Sequence, residues 1–279
     1  CAFRPDPVPT LNHLFGTRFV AQDSAIESVR DAVVAWTRSR NATSTHGSPL
    51  VLALTGSTGV GKTETAYTIA ESLLQNRRKL HGGSQETPVG LLEFRGEDFS
   101  DPREDSIVEY QKLIKGRIVN HLQACQGNAV IVFDEAQKAA PKVLDGACPP
   151  LLHTHHTTLF RRHSPHPVLT SCMAQDHPRI QHVVDGASII MDCSNVVIIL
   201  ISDVGVNDLR EFMVKVEDDY LDDPTFLQVV AMRLKGALDI HWQGLNMAPL
   251  VHKVVPFLPF QPAMVEAIVA QKLALFGEE

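Results

Sequence analysis

The segment that decides the fold of this chain is Leu52-Ala-Leu-Thr-Gly-Ser-Thr-Gly-Val-Gly-Lys-Thr63. An apolar strand runs into a glycine-rich loop, which ends in Gly61-Lys62-Thr63 at the start of a predicted helix. Glycines let the backbone N–H groups of such a loop turn inward around a polyphosphate, and the helix N-terminus adds its positive dipole. The segment therefore predicts a phosphate-binding loop whose ligand is a nucleoside triphosphate.

Within this loop, Lys62 can reach the β- and γ-phosphates, and the Thr63 hydroxyl can ligate Mg²⁺. ATP and Mg²⁺ are thus the predicted cofactors. The predicted nucleotide-binding residues are Gly56, Ser57, Thr58, Gly59, Val60, Gly61, Lys62 and Thr63, and the region runs on to Glu64 in the first turn of the helix.

A second motif follows at the end of another predicted strand. The run Ala129-Val-Ile-Val-Phe133 is continuously apolar, which is typical of a parallel strand buried on both faces, and it ends in Asp134-Glu135. Here Asp134 can hold Mg²⁺, and Glu135 can polarise the water that attacks the γ-phosphate. Acidic residues often close strands, but downstream of the phosphate-binding loop this pair predicts an ATP-hydrolysing protein.

Composition and charge limit the fold class and the kinds of partner that this chain could bind. The chain has 279 residues, 44% of them hydrophobic, which is enough for one α/β domain with additions. A formal net charge of −7 without a dense Lys/Arg stripe argues against nucleic acid as a partner. The apolar run Val196–Ile201 is too short to cross a bilayer, so no transmembrane segment is predicted. Because the chain starts at Cys1 and not at Met, a targeting segment is left undecided.

The cysteines and one glycosylation sequon bear on the cellular compartment in which the chain folds. There are 5 cysteines and no C-x-x-C pair, so we expect neither a zinc knuckle nor a disulfide framework. The triplet Asn41-Ala42-Thr43 lies in a predicted polar linker over 39–47 and is a glycosylation signal, which is a weak indication of the secretory pathway.

Hydrophobic periodicity predicts alternating helices and strands. Predicted helices cover 22–38, 62–75, 105–125, 141–152 and 262–275, and predicted strands cover 50–55, 89–94, 129–133, 196–202 and the apolar run 254–260. This alternation predicts an α/β domain with a parallel five-stranded sheet and helices on both faces. The nucleotide should then lie at the carboxyl ends of the strands.

Two regions interrupt this alternation. Residues 153–182 carry seven of the 13 histidines among several prolines, and a solvent-exposed insertion is favoured there over a metal site. Residues 214–248 contain the acidic cluster Glu217–Asp223, which is interpreted as a loop between two helices.

With these motifs in position, the chain resembles the torsins, within the Clp branch of the AAA+ ATPases. The segments Asp134-Glu135-Ala-Gln-Lys138 and Val254-Val-Pro-Phe-Leu-Pro-Phe260 carry much of the resemblance. The segment Arg18-Phe-Val-Ala-Gln-Asp23 is similar to the one that packs on adenine in Clp proteins, which implies Phe19 and Val20 as the adenine pocket, although Ala21 replaces the usual glycine.

The resemblance implies a domain division and a function. Residues 1–17 would be a lead-in, 18–279 the AAA+ domain, and 262–279 the start of a C-terminal helical lid that is largely absent from this chain. The implied activity is ATP-driven, chaperone-like remodelling of protein partners, whose identity is unknown. Torsins also imply the endoplasmic reticulum lumen or nuclear envelope, with cytoplasm or another organelle as the alternative.

Departures from the Clp pattern refine these expectations. The aromatic pore loop of the Clp unfoldases has no counterpart in Arg95–Arg103, and Pro249-Leu250 occupies the position of their arginine finger. A protein activator or neighbouring subunit, as for torsins, would then supply that arginine. Thr63 is the ordinary Clp-type residue, whereas many torsins have Asn or Ser there.

Asp203 stands where the family has the asparagine that senses the γ-phosphate. A carboxylate there should slow hydrolysis, or demand a raised pKa. Glu135, Lys62 and Asp203 are therefore the predicted catalytic residues. Two alternatives stay open: a Clp-type unfoldase or disaggregase subunit, and a scaffold that binds ATP with negligible turnover.

Overall fold

A computed structural model of the chain describes residues 1–41, 47–79, 86–144, 170–174, 177–184, 186–214, 224–241 and 250–277. In chain order the elements are α1 (Val8–Arg18), α2 (Asp23–Asn41), β1 (Leu50–Gly56), α3 (Lys62–Leu73), β2 (Arg77–Lys79), β3 (Glu86–Pro88), β4 (Leu91–Arg95), α4 (Glu104–Ala124), β5 (Ala129–Asp134), α5 (Thr170–Met173), β6 (Arg179–Val184), β7 (Ala187–Asp192), β8 (Val196–Ser202), α6 (Val206–Val214), α7 (Pro224–His241), β9 (Lys253–Phe257) and α8 (Pro262–Gly277). Short 3₁₀ helices cover Gly96–Phe99 and Ala136–Lys138.

The predicted parallel sheet is confirmed. Its five strands lie in the order β4-β5-β8-β1-β9, and each neighbouring pair is parallel. Every residue of β1 and β8 is buried. Both strands are apolar up to Thr55 and Ser202, because a sheet covered on both faces gives neither side of an inner strand contact with water.

Helices cover both faces of the sheet, as predicted. Successive side chains of a strand point to opposite faces. Along β1, Val51 and Ala53 therefore join the core formed with α4 and α7, whereas Leu52 and Leu54 join the core formed with α1, α2 and α3. Leu11 and Phe15 of α1 are buried in that second core, so the predicted lead-in packs directly on the domain.

The edge strand β9 is clamped at both of its ends. At its start, the backbone N–H of Val51 donates to Nδ1 of His252 at 3.1 Å, and the backbone N–H of His252 donates to the Val51 carbonyl at 3.0 Å. Burial lowers the pKa of His252, which favours the neutral imidazole that can accept this bond. At the other end, the Gln22 amide donates to the Leu258 carbonyl at 2.6 Å and accepts from the Leu258 N–H at 3.1 Å.

The expectation of no disulfide framework was wrong. Cys1 is bonded to Cys125 and so ties the N-terminus to the residue after α4, while Cys172 is bonded to Cys193 and ties α5 to the turn after β7. Sequence separations of 124 and 21 residues follow no spacing motif, and only the folded chain brings the partners together. Cys148 lies outside the described residues.

Three local predictions differ from the structure. Strand β4 starts at Leu91 and not at 89, because Gly90 has a φ of 112° and forms part of a turn. The helix predicted over 141–152 is wrong at its start, since 141–144 form turns and Lys142 has a φ of 72°; its remainder lies outside the described residues. Asn41, predicted in a linker, is the last residue of α2 and is exposed.

The histidine-rich region 153–182 is described only in its C-terminal part. Residues 179–182 belong to β6, which pairs with β7 as an antiparallel hairpin packed against α4. Residues 153–169 and the acidic cluster Glu217–Asp223 fall outside the described part of the chain. Within that part, no three His, Cys, Asp or Glu residues are grouped as they would be to hold a metal ion. Among the helices described, none has both the length and the apolar character needed to cross a bilayer.

Candidate functional site

The sequence-predicted site residues meet at one edge of the sheet. Strands β1, β5 and β8 end side by side there, with Thr55 in register with Ser202. Their ends open into a cavity of about 360 Å³. Its lining comes from the glycine-rich loop and the start of α3, from Asp134, Glu135 and Gln137, and from Ile201, Ser202 and Asp203.

Two glycines of the loop are required by its geometry. A Cβ atom at Gly56 would lie 2.8 Å from Cβ of Phe257 and closer still to the Phe257 carbonyl, so only glycine lets the loop leave β1 beside β9. Gly61 caps α3 with a φ of 102°, in the left-handed region that disfavours other residues. The loop therefore presents its backbone at the N-terminus of α3, where an anion is stabilised.

Lys62 is held against this loop. Only 8% of the residue is exposed, and its Nζ donates to the carbonyls of Gly56 at 2.7 Å and Ser57 at 2.6 Å. Burial lowers the pKa of Lys62, while Asp203, Asp134 and Glu135 oppose that effect, in decreasing order. The three carboxylates thus favour the charged form of the one cation that lines the described cavity.

Thr63 and Asp134 form the pair expected at a magnesium site. The Thr63 hydroxyl donates to Oδ2 of Asp134 at 3.2 Å across the cavity. Hydroxyl and carboxylate oxygens are the hard ligands that Mg²⁺ takes beside phosphate oxygens. The donor set therefore fits a divalent cation bound together with a polyphosphate.

Glu135 lines the cavity in a constrained backbone conformation. Its φ of 50° lies in the left-handed region, and its N–H donates to Oδ1 of Asp134 at 2.9 Å. Its Oε2 accepts from Nζ of Lys138 at 2.7 Å, and the same ammonium lies 3.5 Å from Oε2 of Glu97. The carboxylate that could orient water is thus paired with Lys138, which lies outside the described lining of the cavity.

Sequence reasoning assigned no role to three residues around Glu135. Lys138 and Glu97 make the ion pairs just described. Gly96 packs against the Glu135 backbone so closely that a Cβ there would lie 2.8 Å from the Glu135 carbonyl carbon and 3.1 Å from the Ala139 nitrogen. Gly96 was a possible sequence signal, because a glycine after a predicted strand often marks a close backbone contact. The pattern could not show that its partner is Glu135, 39 positions later.

Asp203 directly follows β8 and lines the cavity. The turn that carries it is held by two hydrogen bonds: the Val204 N–H donates to the Ser202 hydroxyl at 3.1 Å, and the Val206 N–H donates to the Asp203 carbonyl at 3.2 Å. Gly205, with a φ of 79°, packs on Leu234 of α7. The backbone position of Asp203 is therefore set by the sheet and by α7.

Phe19 and Val20, the predicted adenine pocket, follow α1. The Phe19 ring lies beside Gly61, since a Cβ at Gly61 would be 3.4 Å from its Cε1 atom. Val20 is 37% exposed. Neither belongs to the described lining of the cavity, so their contact with a base stays a prediction.

The chain was compared with known proteins in sequence and in fold. No protein-family model matches the chain. A torsin-like protein from Caenorhabditis elegans is 33% identical over 129 residues, which cover 46% of this chain and 33% of that protein. The chain thus spans about a third of the length of this relative.

In fold, the chain is similar to Hsp104. It matches a closed-state cryo-EM structure of Hsp104 with ATPγS and casein at a TM-score of 0.59 and 20% identity, over 98% of this chain and 39% of the other. The complex of Saccharomyces cerevisiae Hsp104 with ADP matches at a TM-score of 0.57 and 20% identity, with the same coverage. At this identity the likeness concerns the fold.

Proposed function

We propose that this chain is a member of the torsin and Clp branch of the AAA+ ATPases and that it binds and hydrolyses ATP with Mg²⁺ to drive chaperone-like remodelling of protein partners. It is similar to a torsin-like protein in sequence and to Hsp104 in fold. The observation that carries the proposal is the cavity in which Lys62, the Thr63–Asp134 pair and Glu135 lie together. These residues meet the three requirements of phosphoryl transfer to water: charge compensation on the phosphates, a metal site and a carboxylate beside the attacking water.

In the proposed reaction, water adds to the γ-phosphorus while the bond between that phosphorus and the β–γ bridging oxygen breaks. Glu135 orients the water and accepts its proton, and ADP and inorganic phosphate leave. To do this, the Glu135 carboxylate has to release its hydrogen bond from Lys138 and accept one from the water. Lys62 compensates charge on the phosphates, and Thr63 and Asp134 supply oxygen ligands for Mg²⁺.

Single-turnover hydrolysis tests the proposed function against its two alternatives. We expect the isolated chain to bind ATP and to hydrolyse it slowly, because the described cavity contains a single cation, Lys62. Acceleration by a protein activator would support the torsin-like function. Fast turnover by the isolated chain would favour a Clp-type unfoldase, and binding with no hydrolysis under any condition would favour the nucleotide-gated scaffold.

We further propose the lumen of the endoplasmic reticulum or the nuclear envelope as its compartment. Two disulfides are typical of proteins that fold in an oxidising compartment. Asn41, the acceptor of the sequon, is exposed at the end of α2.

Secretory expression tests this compartment. The wild-type chain should carry a glycan that an endoglycosidase removes, whereas Asn41→Gln should show no mass shift. An unglycosylated wild type, or reactive thiols at Cys1 and Cys125 in the native protein, would contradict a luminal location.

A further inference from the structure

We propose that Asp203 makes this cavity select nucleoside diphosphates over triphosphates, an inference that rests on the proposed nucleotide site. Asp203 lines the same cavity as Lys62 and the Thr63–Asp134 pair. It stands at the end of β8, whose Ser202 is in register with Thr55, the residue before the glycine-rich loop. Asp203 therefore lies at the end of the sheet from which the phosphate-binding loop leaves.

Asp203 is also electrostatically coupled to the phosphate-binding lysine. The Asp203 carboxylate attracts the Lys62 ammonium, as do Asp134 and Glu135. An additional negative charge in the same cavity would be repelled by this carboxylate.

The backbone of the turn that carries Asp203 is held in place. Ser202 and Asp203 accept backbone hydrogen bonds from Val204 and Val206. A side chain at Gly205 would collide with the buried side chain of Leu234 on α7. The turn therefore packs between the sheet and that helix. A γ-phosphate that enters the cavity therefore meets a carboxylate carried by a backbone segment that is held in place.

Repulsion between like charges would distinguish the two nucleotides. A triphosphate carries additional negative charge beside Asp203, whereas the charge of a diphosphate ends nearer to the loop, Lys62 and the helix N-terminus. For two unit charges in a partly exposed site, a separation of about 5 Å would correspond to about 10- to 100-fold in affinity. Hydrolysis would then leave the product as the more tightly held nucleotide.

The test compares Mg²⁺-bound ADP with a Mg²⁺-bound, non-hydrolysable ATP analogue on the full chain by calorimetry. The wild type should favour ADP by about 10-fold or more, and Asp203→Asn should strengthen binding of the analogue about 10- to 100-fold while changing the ADP affinity less than about 3-fold. Glu109→Gln is the matched control, because it removes one carboxylate from an exposed position of α4 and should change neither affinity.

Asp203→Ala separates charge from hydrogen bonding, since it removes the carboxylate without adding an amide donor. A gain in analogue affinity for both variants supports the proposal. A gain in analogue affinity for Asp203→Asn alone would overturn the proposal. A loss of analogue affinity in both variants would also overturn it, because Asp203 would then act as a metal ligand. Equal wild-type affinities would refute the selectivity yet leave the nucleotide site intact, whereas binding of neither nucleotide would refute the site itself.

Discussion

A protein partner that presents an arginine to the Lys62 cavity is expected to accelerate ATP hydrolysis by about 10³- to 10⁵-fold, with little change in ATP affinity. Negative charge develops on the γ-phosphoryl group as it is transferred, and a second cation stabilises that charge in the transition state more than in the ground state. Four carboxylate residues and one lysine line the described cavity, so a second cation has to come from elsewhere.

The chain itself offers two further arginines to test. Arg210 on α6 is exposed, and Arg233 lies on the surface of α7, so either could serve the site of a neighbouring copy. Single-turnover rates should be measured with the activator, with its arginine changed to lysine or alanine, and with Arg210→Ala and Arg233→Ala in the chain. Rapid hydrolysis by the isolated chain, abolished by one of these last two changes, would contradict activator dependence and support a Clp-type ring.

Lys62→Ala should weaken ATP binding by about 100-fold or more, while Glu135→Gln should retain ATP affinity and slow hydrolysis by about 10²- to 10⁴-fold. The first change removes the buried ammonium that compensates the phosphate charge. The second keeps the shape of the side chain but removes the carboxylate that accepts the proton from water. Binding of a fluorescent ATP analogue and single-turnover hydrolysis measure the two effects separately.

Lys112→Ala is a suitable control for the lysine change, because Lys112 is exposed on α4, outside the cavity, and alanine is a good helix former. If Lys62→Ala and Glu135→Gln lowered ATP affinity equally, the separate roles proposed for the two residues would be wrong. Unchanged affinity in Lys62→Ala would remove the phosphate-binding role of the loop altogether.

The positions of the main strands and of the candidate site could be predicted from the sequence because both depend on short segments. A strand buried on both faces needs an uninterrupted apolar run, so β1, β5 and β8 could be recognised one at a time. A polyphosphate needs glycines, a lysine and a hydroxyl at fixed spacing, which makes Gly56–Thr63 recognisable before any tertiary contact is known. The parallel sheet then brings Thr63 and Asp134 together, because the ends of its strands share one edge.

What the tertiary structure alone decided are contacts between residues that no local pattern connects. The bonds Cys1–Cys125 and Cys172–Cys193, the packing of Gly96 on Glu135 and the Gln22–Leu258 clamp each join different elements of the fold. Each contact forms only if two segments far apart in the sequence meet at a particular distance and orientation. That distance and orientation are set by the packing of the whole domain. Periodicity and spacing are properties of a single segment, so the sequence alone determined where the elements and the phosphate-binding loop lie. The packing of the domain determined which side chains line the cavity around Lys62.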